Sequence, residues 1–114
     1  MKWYIPDCFW NSQSNGASLS HEAICILNPG REDTAVTLSL YFEQREKLAG
    51  FAVAVPAERT IHIRMDRLRN KDGVPVPTDT PYAAVVECAQ KIYIQYTRVD
   101  SSQPALAIAT TMIG

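Results

Sequence analysis

Residues 81–103 of the chain read PYAAVVECAQKIYIQYTRVDSSQ. Two runs of apolar and β-branched residues are separated by a short turn, and this pattern predicts a β-hairpin. The second strand, over residues 92–99, leads into a group of four polar residues, Gln95, Thr97, Arg98 and Asp100. A strand that passes from apolar residues into a dense polar cluster marks the place where a hydrophobic core meets a candidate site.

Further short strands are predicted on both sides of this stretch. Residues 34–42 alternate between apolar and polar side chains with a period of two, which is typical of a half-buried strand. The other predicted strands lie within residues 3–10, 21–28, 51–55, 60–65 and 104–113. No helix of normal length is predicted, and the chain has no room for the crossovers that parallel strands need. We therefore expect residues 1–114 to form one all-β domain, a single antiparallel β-sandwich of about seven to eight strands.

Two connecting segments carry local predictions. Residues 11–20 are rich in Asn, Ser and Gly, and we expect an exposed and mobile loop that could also cover a ligand beside Trp3 or Trp10. Residues 65–70 could close as one helical turn with Asp66 as its N-cap. The Pro-rich residues 70–80 cannot form a regular central strand and are predicted to be an ordered loop.

Composition limits the classes of function. The net charge is −1 and charged residues make up 20% of the chain, which argues against a strong general attraction to nucleic acid or to an anionic membrane. No apolar run approaches the ~20 residues of a membrane-spanning helix, and no signal peptide is apparent. Three cysteines without close spacing fit neither a disulfide framework nor a zinc site, so we expect reduced thiols in the cytosol.

The chemistry-bearing motifs of common enzymes are absent from the chain. There is no Gly-rich phosphate loop and no Gly-x-Ser-x-Gly nucleophile motif. A triad of Ser20, His21 and Asp100 can be drawn, but adjacent side chains of a strand point to opposite faces. For the same reason His21 and Glu22 cannot both line one pocket in a regular strand. We expect no enzymatic activity, no cofactor and no metal.

The remaining polar candidates lie near strand ends, and each also has a purely structural interpretation. His62 and Arg64 share one face, which is commonly a solvated face. Arg98 and Asp100 share a face and could form an ion pair that fastens the strand end. Gln95 and Thr97 share the opposite face of that strand, so a pocket that uses both faces would need a bulge, a twist or a second protomer.

Four blocks of the sequence, SHEAICILNPG, VPAERTIHIRMDRL, PVPTDTPYAAVVE and IQYTRVDSSQ, occur in an order and spacing that resembles the sensory rhodopsin transducer family. The resemblance covers nearly the whole chain, from about Trp3 to Thr111. It implies a β-sandwich protomer, a homotetramer and a cytoplasmic location. It also implies a non-enzymatic signalling module that binds a membrane photoreceptor or another receptor and a small polar ligand such as a sugar or a related metabolite. The alternatives are a DNA-binding protein, which the family also suggests, and an adaptor that only docks on a receptor.

The resemblance also implies a set of shared polar positions, without assigning a role to each. They are Ser20, His21, Glu22, Asn28, His62, Arg64, Asp79, Gln95, Thr97, Arg98, Asp100 and Gln103. From this set and from the strand pattern, we predict a ligand-binding site composed of His21, Glu22, Arg64, Asp79, Gln95, Arg98 and Asp100. Such side chains supply both the donors and the acceptors that hydroxyl groups need, and Trp3 or Trp10 could provide a stacking surface.

Overall fold

A computed structural model describes residues 1–15, 19–103 and 107–113, and over these residues the fold is all-β. The predicted residues 16–18 of the first loop and 104–106 of the last strand lie outside the described part. The eight strands are β1 (Lys2–Cys8), β2 (His21–Asn28), β3 (Thr34–Tyr41), β4 (Leu48–Val55), β5 (Arg59–Arg64), β6 (Tyr82–Glu87), β7 (Tyr93–Asp100) and β8 (Ala107–Ile113). The described part of the chain holds no helix with the length and apolar character that a membrane span needs.

The strands form two four-stranded antiparallel sheets, which confirms the predicted β-sandwich. Sheet A has the order β1-β6-β3-β4 and sheet B has the order β5-β2-β7-β8. β3 and β4 form an antiparallel hairpin, and the loop between them carries Glu43, Arg45, Glu46 and Lys47. The hairpin predicted for residues 81–103 is wrong, because β6 lies in sheet A and β7 lies in sheet B. The link between them carries Cys88 and Ile92 into the core, where they are only 5% and 0% exposed, so the chain crosses from one sheet to the other.

One hydrophobic core fills the space between the sheets. Strands β1 to β7 contribute inward-facing side chains to it, as the period-two pattern predicts. Among the described side chains of β8, Ile113 packs against the core and residues 108–112 are exposed. On β2 the inward positions are Glu22, Ile24, Ile26 and Asn28, all of them fully buried. Two of these four inward residues are polar, and they must find hydrogen-bond partners inside the protein. Every buried side-chain nitrogen and oxygen atom in the described residues has such a partner.

Two features at one end of the sandwich are an irregularity in β1 and the edge position of β8. In β1, Ile5 pairs with Ala84 and Cys8 pairs with Tyr82, so the register shifts over the two residues between them. β8 is the outermost strand of sheet B and pairs only with β7. The irregular part of β1 and the inner side of β8 lie close to each other at the margin of the core, where residues of both strands line one cleft.

The short segment after β5 differs from the prediction. Met65–Arg67 form a 3₁₀ turn, with Arg64 and not Asp66 at the N-cap position, and no side chain caps it. Asp66 lies inside the turn, where its carboxylate accepts hydrogen bonds from the Arg64 guanidinium at 2.9 and 2.8 Å. The ion pair with Arg64 thus takes the carboxylate that the prediction assigned to helix capping.

Candidate functional site

A carboxylate lies in the core at Glu22, on an inward position of β2, and is 0% exposed. It accepts hydrogen bonds from the hydroxyl groups of Tyr82 and Tyr96 and from the backbone N–H of Phe9, the last at 3.1 Å. Three donors satisfy both carboxyl oxygens, so the buried group finds its hydrogen-bond partners in the protein instead of in water. We refer to Glu22, Tyr82, Tyr96 and the Phe9 amide as the Glu22 cluster.

The Glu22 cluster joins separate parts of the fold. Tyr82 begins β6 in sheet A, whereas Tyr96 lies on β7 in sheet B, next to Glu22 on β2. Phe9 follows the last residue of β1, and its N–H also lies 3.3 Å from the Tyr96 hydroxyl oxygen. A single carboxylate therefore connects the two sheets and fixes the end of β1 through hydrogen bonds.

The surroundings of the cluster shift the acidity of its groups. Burial raises the pKa of Glu22, and the hydrogen bonds from Tyr82, Tyr96 and Phe9 oppose this effect without cancelling it. Burial and then the Glu22 charge raise the pKa of both tyrosines, which keeps their hydroxyl groups protonated as donors. The same two causes raise the pKa of the neighbouring Cys8 thiol to about 12, so this thiol is neutral near pH 7 and is a poor nucleophile.

Arg98 extends the cluster to the surface. It lies opposite Glu22 in the register of β2 and β7, and its Nε donates to the Tyr96 hydroxyl at 3.3 Å. Its Nη2 donates to the backbone carbonyl of Asp7 at 3.1 Å and to the Asp7 carboxylate at 3.3 Å. The Arg98 side chain is 27% exposed and that of Asp7 is 86% exposed. A chain of hydrogen bonds thus runs from exposed Asp7 through Arg98 and Tyr96 to buried Glu22.

Arg98 also borders a cleft of about 190 Å³ at the margin of the core. The cleft, called here the β1–β8 cleft, lies between the irregular part of β1, the inner positions of β7 and the inner side of β8. Its lining residues are Ile5, Pro6, Asp7, Tyr96, Arg98, Ala109, Thr111 and Ile113. The cleft is therefore mostly apolar, with one cation, one carboxylate and two hydroxyl groups on its walls.

Three of the predicted site residues lie on the outer face of sheet B, away from this cleft. His21 has its Nδ1 at 2.8 Å from the carbonyl oxygen of Leu19, and Arg64 is paired with Asp66. Gln95 borders a separate depression of about 230 Å³ together with His62 and other outer-face residues. The sheet separates these three side chains from Glu22 and Arg98.

The two remaining predicted site residues, Asp79 and Asp100, form hydrogen bonds that stabilise loops. Asp79 accepts hydrogen bonds from the N–H and hydroxyl groups of Ser12, and Asp100 accepts them from those of Ser102. These hydrogen bonds lower the pKa of both carboxyl groups. The ion pair considered for Arg98 and Asp100 is not formed, because Arg98 pairs with Asp7 instead. Of the seven predicted site residues, the structure joins only Glu22 and Arg98 in one hydrogen-bond network.

The sequence prediction missed Asp7, Tyr82 and Tyr96 as partners of this site. A signal was present in β2, where a glutamate occupies an inward position beside Ile24 and Ile26 and so requires buried donors. Tyrosines at inward positions of other strands are natural donors of this kind. Neither predicted stacking residue borders the cleft: Trp3 is buried in the core, and Trp10 is half-buried with its carbonyl accepting from the Asp79 N–H at 2.7 Å.

The described residues contain no group of three or more His, Cys, Asp and Glu side chains that could hold a metal ion. What the arrangement offers is recognition chemistry. A half-buried guanidinium at the edge of a small apolar cleft can bind an anionic or polar group, and its hydrogen bonds lead directly to a buried carboxylate.

The chain is similar to one protein family and to solved structures. The family described as Anabaena sensory rhodopsin transducer matches residues 1–113. The solved structure of the Anabaena sensory rhodopsin transducer itself is 37% identical, with a TM-score of 0.76 over 90% of each chain. The crystal structure of Thermotoga maritima 1070 is 25% identical, with a TM-score of 0.87 over 99% of this chain and 91% of that one. No curated protein matches the chain.

Proposed function

The chain belongs to the Anabaena sensory rhodopsin transducer family, and on this premise we propose that it is a non-enzymatic, oligomeric signalling module of the cytoplasm. In this proposal it binds a membrane photoreceptor or another receptor and also a small polar ligand such as a sugar or a related metabolite. The hydrogen-bonded path from the β1–β8 cleft to Glu22 supports the proposal, because it links a surface site to a group that ties both sheets together.

The β1–β8 cleft is the proposed ligand site. Arg98 and the hydroxyl group of Thr111 can donate to a polar ligand, and the Asp7 carboxylate can accept from it. A thermal-shift screen with sugars and sugar phosphates tests this part of the proposal. We expect stabilisation of the wild-type protein by at least one compound and a loss of that shift in Arg98→Ala. The absence of a shift with every compound, together with no effect of Arg98→Ala, would contradict a ligand site here.

Assembly into a homotetramer would cover surface that the protomer leaves exposed. The outer face of sheet B carries Leu27 and Tyr93, which are 45% and 47% exposed. On β8, Ile108 and Met112 are 62% and 70% exposed, and this edge strand of sheet B has no charged residue among its described positions. Exposed apolar edge strands are normally protected by pairing or by cover. Sedimentation equilibrium tests the proposal: we expect the mass of a tetramer, and a monomer mass at micromolar concentration would refute it.

A receptor contact is proposed at the β3–β4 loop. Here Phe42, Arg45 and Pro81 border a groove of about 220 Å³, and the Arg45 guanidinium lies 4.7 Å from the centre of the Phe42 ring. An aromatic and arginine-containing surface is typical of binding hot spots. Titration of the protein into a microbial sensory rhodopsin in lipid nanodiscs tests this proposal. We expect saturable binding that Arg45→Glu weakens and that the charge-matched control Arg31→Glu leaves unchanged; equal effects of both substitutions would contradict this docking surface.

The chemistry of the site supports a non-enzymatic role. The Cys8 thiol is neutral near pH 7, and Glu22 is closed off from solvent by its three donors. We do not propose DNA binding, because neither the comparisons nor the described residues favour it. An absence of salt-dependent retardation of duplex DNA is the expected result for a protein with a net charge of −1.

A further inference from the structure

The irregularity in β1 places Asp7 at the mouth of the β1–β8 cleft. Between the paired residues Ile5 and Cys8, two residues, Pro6 and Asp7, lie opposite the single residue Ala83. Pro6 has no N–H with which to continue the ladder, and a bulge of this kind redirects the side chains that it contains. The Asp7 carboxylate consequently points toward Arg98 while remaining largely in solvent.

The Arg98 guanidinium is held loosely for a group that is about three-quarters buried. Of its three hydrogen bonds, one measures 3.1 Å and two measure 3.3 Å, so two lie just beyond the normal range of about 2.7–3.2 Å. No hydrogen bond from Nη1 occurs among the described contacts, although a guanidinium has five N–H donors in a fork that matches a carboxylate. The contact with Asp7 uses one oxygen only, so a better-placed carboxylate could form the two parallel hydrogen bonds that Asp7 does not.

We propose that the β1–β8 cleft binds a small carboxylate-bearing metabolite, whose carboxylate displaces that of Asp7 and takes Nη1 and Nη2 of Arg98 as a bidentate pair. Asp7 then acts as an internal competitor that occupies the cation when no ligand is present. This inference rests on the ligand site of the proposed function. It restricts the class of ligand from polar compounds in general to carboxylic acids.

The walls of the cleft define the rest of the ligand. A volume of about 190 Å³ is below the ~300 Å³ at which pockets for drug-sized molecules begin, so the ligand is a short molecule. Ile5, Pro6, Ala109 and Ile113 supply an apolar wall, whereas Thr111 on β8 offers a single hydroxyl group. A short monocarboxylate with one further polar group, such as a 2-hydroxy acid, fits this arrangement better than a neutral sugar, whose many hydroxyl groups would lack partners.

Isothermal titration calorimetry with three probes tests the inference. The probes are lactate, its neutral isostere lactamide, and glucose, each titrated into the wild-type protein, Asp7→Ala and the charge-matched control Asp72→Ala. Asp7 and Asp72 are both exposed, so neither substitution threatens folding. We expect lactate to bind and lactamide to bind at least tenfold more weakly. Asp7→Ala should tighten lactate binding by about two- to fivefold, because it removes a competing exposed ion pair that is worth up to ~1 kcal/mol. Asp72→Ala should leave the affinity unchanged.

The outcomes separate this inference from the broader proposal. Equal binding of lactate and lactamide, or an unchanged or weaker lactate affinity in Asp7→Ala, would overturn the inference. Glucose binding that is stronger than lactate binding and insensitive to Asp7→Ala would overturn it while leaving a sugar site in place. Failure of all three probes, in a protein whose thermal unfolding shows that it is folded, would overturn the inference, and failure of the separate sugar screen as well would remove the ligand site.

Discussion

Replacement of Tyr82 by Phe is the substitution that examines the Glu22 cluster most cleanly. Tyr82 is 3% exposed and its hydroxyl group donates to the Glu22 carboxylate, so the substitution removes one donor and leaves the ring in place. A hydrogen bond to a charged group contributes about 1.5–3 kcal/mol, against about 0.5–1.5 kcal/mol for a bond between neutral groups. We therefore expect the free energy of unfolding to fall by about 2 kcal/mol where Glu22 is ionised and by about 1 kcal/mol where it is protonated, so the loss should be larger at pH 8 than at pH 4.

Urea denaturation followed by tryptophan fluorescence at the two pH values and at one protein concentration measures both losses. Tyr4→Phe is the matched control, because Tyr4 is 60% exposed on β1 and substitutions at such surface positions change stability by about 0.5 kcal/mol or less. A loss of stability in Tyr82→Phe that is no larger than that of Tyr4→Phe would refute the reasoning. An equal loss at both pH values would show that the hydrogen bond is not made to an ionised carboxylate.

Three further predictions concern the buried polar groups. Glu22→Ala should lower the free energy of unfolding by about 3–5 kcal/mol, because it leaves two buried tyrosine hydroxyl groups and the Phe9 amide without their acceptor, and urea denaturation measures this loss. Asn28→Ala should cost about 2–4 kcal/mol, since the fully buried Asn28 amide donates to the carbonyl groups of Val55 at 3.1 Å and Glu32 at 3.0 Å; a cost below ~1 kcal/mol by the same method would contradict this role. The pKa of Glu22 is raised on folding, so its protonation contributes favourably to the free energy of unfolding. This contribution is complete below the unfolded pKa of about 4.3 and is lost as the pH rises through the folded pKa. The stability of the wild type relative to Glu22→Gln should therefore fall as the pH rises from about 4 to about 8. A difference that increases with pH would show that the pKa is depressed instead.

Alternation in the sequence predicts strands and their faces well in this protein. The two-residue period over residues 34–42 corresponds to β3, and the opposite faces assigned to His21 and Glu22 are those that the structure shows. The alternation does not show which strands pair with each other. The strands within residues 81–103 are present, but they belong to different sheets, because partner choice depends on distant packing and not on a short connection alone.

The candidate site shows the same limit. Glu22 and Arg98 could be selected from their types and positions, yet the register between β2 and β7 is what brings them opposite each other. Asp7 reaches Arg98 only because of the irregularity in β1, and residues 7 and 98 are far apart in the sequence. Contacts of this kind arise from the three-dimensional arrangement of strands, so a single sequence indicates the residues that need partners without identifying those partners.

The proposed signalling role is tested most directly by the affinity of the protein for a microbial sensory rhodopsin in nanodiscs, measured in the dark and under illumination. A transducer must distinguish the two states of its receptor, since a partner that binds both states equally shifts no equilibrium between them. We predict saturable binding whose dissociation constant differs between dark and light. Identical dissociation constants in the two conditions, or no binding in either, would contradict the proposed function.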